Sequence, residues 1–258
     1  MKLLFLFLSL NLFVTSCSEN KSKELKTTAF LSVTETEQFD LKNIEKKIEK
    51  ALISSIIAKS SSSIDSVIKT LETPKNPLEE YWYGYALYNK AILGIVIKDS
   101  KMSKDNLNKG IELLLKSKKS SETYALLGTL QSLYVQFASN IEKGNLSKKA
   151  SKNFMSSLRL EKNNLRAHLG LGRMDFYTPK EYGGGKNVEN YLLKTIECQD
   201  QVVKNQVMPS WGRKEAFELL IQFYASKKEM ELGKKYYKEA IKIYPNDYKL
   251  KSYANLFI

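Results

Sequence analysis

From Asp40 onward apolar residues return every three or four positions, with charged residues filling the spaces between them. Leu41, Ile44, Ile48, Leu52 and Ile56 form one such stripe behind Asp40, whose side chain can accept from the free N–H groups of a first helical turn. The spacing predicts an amphipathic helix ending near Lys59 and a short break over Ser60 to Ser63. A second apolar face then carries Ile64, Val67, Ile68 and Leu71 and is stopped by Pro74 and Pro77. No stretch alternates apolar and polar residues well enough to read as a strand. The pattern predicts an all-α chain in which each helix buries one face against its neighbours.

The chain ahead of Asp40 follows a different plan. One positive charge, Lys2, precedes an apolar run from Leu3 to Val14, and small residues follow, which is the layout of a secretory signal over residues 1–16. The run is too short to cross a bilayer, which takes about 20 apolar residues. Val14-Thr15-Ser16-Cys17 resembles the bacterial lipobox, which implies that Cys17 is lipidated with acyl chains such as palmitate and becomes the mature N-terminus. Two or more chains anchor a protein stably where one does not. Residues 17–38 are otherwise polar and mixed in charge and are expected to act as a flexible tether, leaving residues 39–258 as the helical domain. Ser18, by the same resemblance, implies outer-membrane sorting and a place in the bacterial cell envelope, with either membrane face open.

The helical part also repeats. Counting Lys214 as position one places Phe217 at four, Leu220 at seven, Tyr224 at eleven, Gly233 at twenty, Tyr237 at twenty-four, Ala240 at twenty-seven and Pro245 at thirty-two, with Ile221 where position eight commonly holds glycine. A second copy holds Tyr124, Leu127 and Gly128 in its first helix and Ala150, Phe154 and Ser157 in its second, lengthened around Phe137 to Asn145. A third begins at Leu165, passes Leu171-Gly172, and continues through Val188, Leu192 and Thr195 after an insertion at Pro179 to Gly185. A weaker pair runs from Leu78 to Lys118.

These residues resemble the tetratricopeptide repeat (TPR) family. The segments Tyr177 to Gly185 and Pro209-Ser210-Trp211-Gly212 look like a subgroup of TPR lipoproteins of Bacteroidetes-type bacteria. The resemblance implies antiparallel helix pairs stacked as a right-handed α-solenoid with irregular repeats. It also implies protein or peptide binding in a concave groove lined by the first helices, without catalysis. Groove-facing positions of those helices would include Arg166, Arg173, Glu218 and Gln222, and two arginines on one helix face could clamp a carboxylate.

Composition changes this picture little. The net charge of +13, almost all from lysine, suits acidic proteins, anionic membranes or nucleic acid, although it also matches the lysine, asparagine, isoleucine and tyrosine bias of an AT-rich genome. Nucleic acid is discounted as a partner for an exported, lipidated protein. Cys198 is read as a small buried side chain, and the single histidine, His168, as a packed ring at position four of a first helix. The aromatic run Tyr81-Trp82-Tyr83 with Tyr85 and Tyr88 reads as core at helical spacing, and Gly183 to Gly185 as a connector rather than an anion-binding loop. Glu79 and Glu80 could pair for acid/base chemistry, but adjacent charges on a helix are ordinarily solvated. No metal or cofactor is expected. The reading is a non-enzymatic, membrane-anchored TPR adaptor. The alternatives are a small-ligand carrier associated with a transporter and, last, an envelope hydrolase.

Overall fold

The computed structural model describes residues 41–199 and 206–257; the signal and tether expected from the sequence, with Cys17, fall outside the described residues. Among these residues there are eleven α-helices and no strand. No described helix is long and apolar enough to cross a membrane.

Helices α1 (Ile44–Ala58) and α2 (Ser62–Leu71) open the domain, followed by α3 (Pro77–Val96), α4 (Ser100–Lys116), α5 (Ser121–Tyr134) and α6 (Asn140–Leu160). Then come α7 (Leu165–Tyr177), α8 (Val188–Glu197), α9 (Arg213–Ser226), α10 (Met230–Ile243) and the short α11 (Tyr248–Ser252). Several starts are written locally. Asn76, Asp99, Ser120, Asn164 and Asp247 each accept from backbone N–H groups of the helix that follows, and Pro77 supplies a first helical residue that needs no donor. Arg213 donates to the carbonyls of Ile196 and Cys198 at the end of α8, placing a cation where unpaired carbonyls collect.

The helices pack as successive pairs, α3 with α4, α5 with α6, α7 with α8 and α9 with α10, in an α-solenoid. First helices also pack on one another, α3 on α5, α5 on α7 and α7 on α9, whereas the second helices make no comparable mutual contact. The first helices therefore line the inner side of the curve and the second helices the outer side.

Phe154 shows how glycine positions lock the stack. Its fully buried ring on α6 lies between Gly128 of α5 and Gly170 of α7: a Cβ at either glycine would come within 2.8 Å or 2.2 Å of the ring, respectively. A single side chain thus ties three helices together, and neither glycine can grow without displacing it.

The structure refines the sequence pattern in two helices. On α1 the fully buried line is Ile44, Ile48, Ala51 and Ser55, and the stripe residues Leu52 and Ile56 are half-buried. The reason is tertiary: among the described helices α1 packs chiefly on α2 and α3, and Ser55 must face inward for its Oγ to accept from Ile64 N, 3.1 Å away. The extra residues near Phe137 to Asn145 form a short 3-10 turn, Val135–Phe137, and then lengthen α6 at its start.

Candidate functional site

The inner face is built from α1, α3, α5, α7 and α9, and part of it is filled by the chain's own segment leading into α9. Trp211 stacks on Tyr85 of α3, with ring centroids 5.3 Å apart, and its Nε1 donates to the Tyr81 hydroxyl at 3.0 Å. Trp82 Nε1 donates to the Val207 carbonyl at 3.0 Å. Ser210 donates from both N and Oγ to the carboxylate of Glu45 on α1, each at 2.7 Å. The turn ends at Gly212, whose φ of 115° is open to glycine and where a Cβ would lie 2.6 Å from Leu165 Cδ2. Glu215 then accepts from Gly212 N at 2.9 Å, closing the entry to α9.

Beneath this segment lies a buried ion pair. Glu122 of α5 accepts from Arg166 of α7 through both oxygens, at 2.6 and 2.8 Å, and also from Asn164 Nδ2 at 2.7 Å. Arg166 NH1 donates to the Trp211 carbonyl at 2.9 Å, and the guanidinium lies over the indole. A planar fork with three partners satisfies a charge that burial would otherwise penalise.

The four residues expected in the groove thus fall in different settings. Arg166 is buried and bonded to Glu122. Arg173, two turns on, is half-buried near Tyr88, Tyr177 and Glu215; burial opposes its charge, but these neighbours outweigh it and hold its pKa above the usual arginine value. Glu218 is buried at the foot of α11, where Lys249 Nζ lies 2.6 Å from its Oε2; burial raises its pKa and Lys249 counters the rise. Gln222 donates to the Tyr253 hydroxyl at 2.7 Å. The structure brings Glu218 and Gln222 together under the C-terminal turn, sets Arg173 against α3 and α9, and places Arg166 deeper, between α5 and α7.

Sequence reasoning missed the rest of the wall. Glu49 of α1 reaches solvent but is hemmed in by protein and by the charges of Glu45 and Glu215, which together raise its pKa to about 7. Burial also raises Glu45, despite its two bonds from Ser210. Lys214 of α9 pairs with Asp247 at 2.9 Å, and Asp247 in turn caps α11. Tyr253 is pushed up to about 12 by burial and by the charge of Glu218. The Pro209 to Gly212 motif was the one sequence signal pointing here, and nothing local tied it to Tyr81, Tyr85 or Glu45.

The remaining candidates have structural partners. Tyr81, Trp82, Tyr83 and Tyr85 are core residues and Tyr88 is half-buried. Glu79 accepts from Lys75 N and Asn76 Nδ2 at the start of α3. Gly184 and Gly185 donate their N–H groups to the carbonyls of Pro179 and Asp175. His168 places Nε2 2.9 Å from the Lys162 carbonyl, and burial lowers its pKa. Cys198 is a buried free thiol, and burial raises its pKa. No group of three or more metal-ligating side chains occurs among the described residues.

No protein-family model matches the sequence, and no curated protein matches it either. Solved structures do. A thermophilic TPR protein from Thermus thermophilus is 15% identical, with the match covering 81% of this chain and 98% of that one at a TM-score of 0.53. HusA, a haemophore from Porphyromonas gingivalis, is 17% identical over 71% and 94% of the two chains, with a TM-score of 0.49. YrrB, a TPR protein described with an unusual peptide-binding site, is 15% identical over 84% and 100%, with a TM-score of 0.36. The first likeness supports a TPR-type fold, and at these identities it speaks to fold alone.

Proposed function

We propose that this chain is a non-enzymatic TPR-type scaffold that holds a protein or peptide segment against its inner face, and that lipid on Cys17 anchors it in the bacterial cell envelope. The observation that supports binding is the setting of Arg173. Its guanidinium hydrogen-bonds Tyr88 and is held charged by Glu215 and Tyr177, with Gln222 further along the same inner layer. Such a wall offers a fork to a carboxylate, hydroxyl groups to a peptide backbone and ring faces to apolar side chains. The anchoring part of the reading is supported by the lipobox-like Val14-Thr15-Ser16-Cys17.

A photo-crosslinking residue placed at Gln222 or Tyr88 in cells tests the binding part, with the exposed Lys238 on the outer side as control. Discrete adducts from the inner positions, lost on Arg173→Ala, are expected; adducts no stronger than from Lys238 overturn it. For the anchor, Cys17→Ala is expected to abolish incorporation of labelled palmitate. An unacylated wild-type protein refutes that part and leaves the binding test standing.

A further inference from the structure

Charge is divided between the two layers of the stack. The second helices α4, α6, α8 and α10 carry fourteen Lys and Arg against seven Asp and Glu, whereas the first helices α3, α5, α7 and α9 carry five against six. A general lysine bias would not by itself separate the layers in sign. Helix α6 is the extreme case, with Lys143, Lys148, Lys149, Lys152 and Arg159 against Glu142 alone, and Glu142 is turned back onto the N and Oγ of Ser139.

The arrangement on α6 is narrower still. Ile141, Lys148, Lys152, Met155 and Arg159 follow one another at steps of seven, four, three and four, which places them in a single stripe along the helix. All five are exposed, Ile141 by 90% and Met155 by 45%, and Lys149 lies beside them. The stripe is about 27 Å long at the helical rise and contains no carboxylate and no aromatic ring. Its start is the lengthened part of α6, where Gly144 has nothing near its Cα that a Cβ would meet.

We propose that this stripe docks the domain on an anionic phospholipid surface, with the lysines and Arg159 over the headgroups and Ile141 dipping into the interface. Charge complementarity names the occupant: a row of cations without intervening carboxylates, bearing exposed aliphatic side chains, matches a surface that is negative outside and apolar just below. Nucleic acid would also meet the charge, but the stripe has no aromatic ring to stack on a base and its apolar side chains would stay in water. The proposal is independent of the inner-face reading and of lipid on Cys17, because it concerns the opposite side of the stack.

Co-sedimentation of the full chain carrying Cys17→Ala with vesicles tests it. Vesicles of phosphatidylcholine are compared with vesicles of the same lipid mixed with phosphatidylglycerol, so that charge-independent binding cancels and the charge reversals separate the stripe from the other lysines. Partition is expected to be at least about tenfold greater on the anionic vesicles at low ionic strength and to fall as salt is added. Lys148→Glu with Lys149→Glu and Lys152→Glu is expected to remove that gain while circular dichroism stays unchanged. Ile141→Asp is expected to reduce it several-fold, and Lys234→Glu with Lys235→Glu and Lys238→Glu on α10 to leave most of it. Equal partition to both vesicles, a gain untouched by the α6 reversals, or a preference for duplex DNA without any vesicle gain each overturns the proposal.

Discussion

Glu122 and Arg166, separated by 44 residues, meet through two hydrogen bonds at 2.6 and 2.8 Å in the interior between α5 and α7. Arg166→Ala leaves a carboxylate buried with its main cation gone and is expected to cost about 3–5 kcal/mol. The double change Glu122→Leu with Arg166→Met removes both charges and is expected to recover much of that loss. Chemical denaturation of the two variants checks this. It follows that Arg173, rather than Arg166, is the arginine whose replacement can test partner capture without unfolding the stack.

Trp211→Ala removes the ring stacked on Tyr85 and the donor to Tyr81, and a loss of about 3–5 kcal/mol is expected for emptying so large a site. Tyr81→Phe keeps the volume but strands the buried indole N–H, for about 1–3 kcal/mol. Denaturation midpoints should rank wild type above Tyr81→Phe and Tyr81→Phe above Trp211→Ala.

Gly170→Ala drives a methyl to within 2.2 Å of the Phe154 ring and is expected to destabilise by about 1–3 kcal/mol. Phe154→Leu in the same chain should relieve the clash, so the double variant is expected to lose less than the two single losses added together. Thermal unfolding of the three variants decides it.

Glu49 titrates at about 7 in the folded chain against 4.5 as its ordinary value, because burial and the charge of Glu45 disfavour its ionised form. The folded state therefore holds this proton more tightly than the unfolded state. The resulting stability is fully present below pH 4.5 and is lost as pH rises through about 7. Glu45 and Glu218, also raised, act with the same sign. Glu49→Gln is expected to match wild type near pH 4 and to exceed it at pH 8; parallel curves of midpoint against pH would contradict the assignment.

The helix pairs were legible in the sequence because their causes are local. A stripe at helical period marks each buried face, and Gly128 with Phe154 marks the close approach within one pair, whereas the caps at Asn76, Asp99, Ser120 and Asn164 were found only in the structure. On α1 the stripe named the covered side, with Ile44 and Ile48 buried and Leu52 and Ile56 half-buried, but it did not show that Ala51 and Ser55 are buried beside them. The same limit applies to the candidate site: position counting placed Arg166, Arg173, Glu218 and Gln222 on first helices, but it could not tell a buried pair from a reachable side chain.

What the amino-acid order determined by itself was the all-α pairing and its repeat, since each depends on residues within a few turns of one another. Only the tertiary structure decided that Trp211 reaches Tyr81 across 130 positions, that Ser210 bonds Glu45 across 165, and that cations gather on the outer layer. Those outcomes depend on how the stack curves and on which surfaces it brings face to face. Curvature is set by the sum of many interhelical contacts, and no single stretch of chain encodes it.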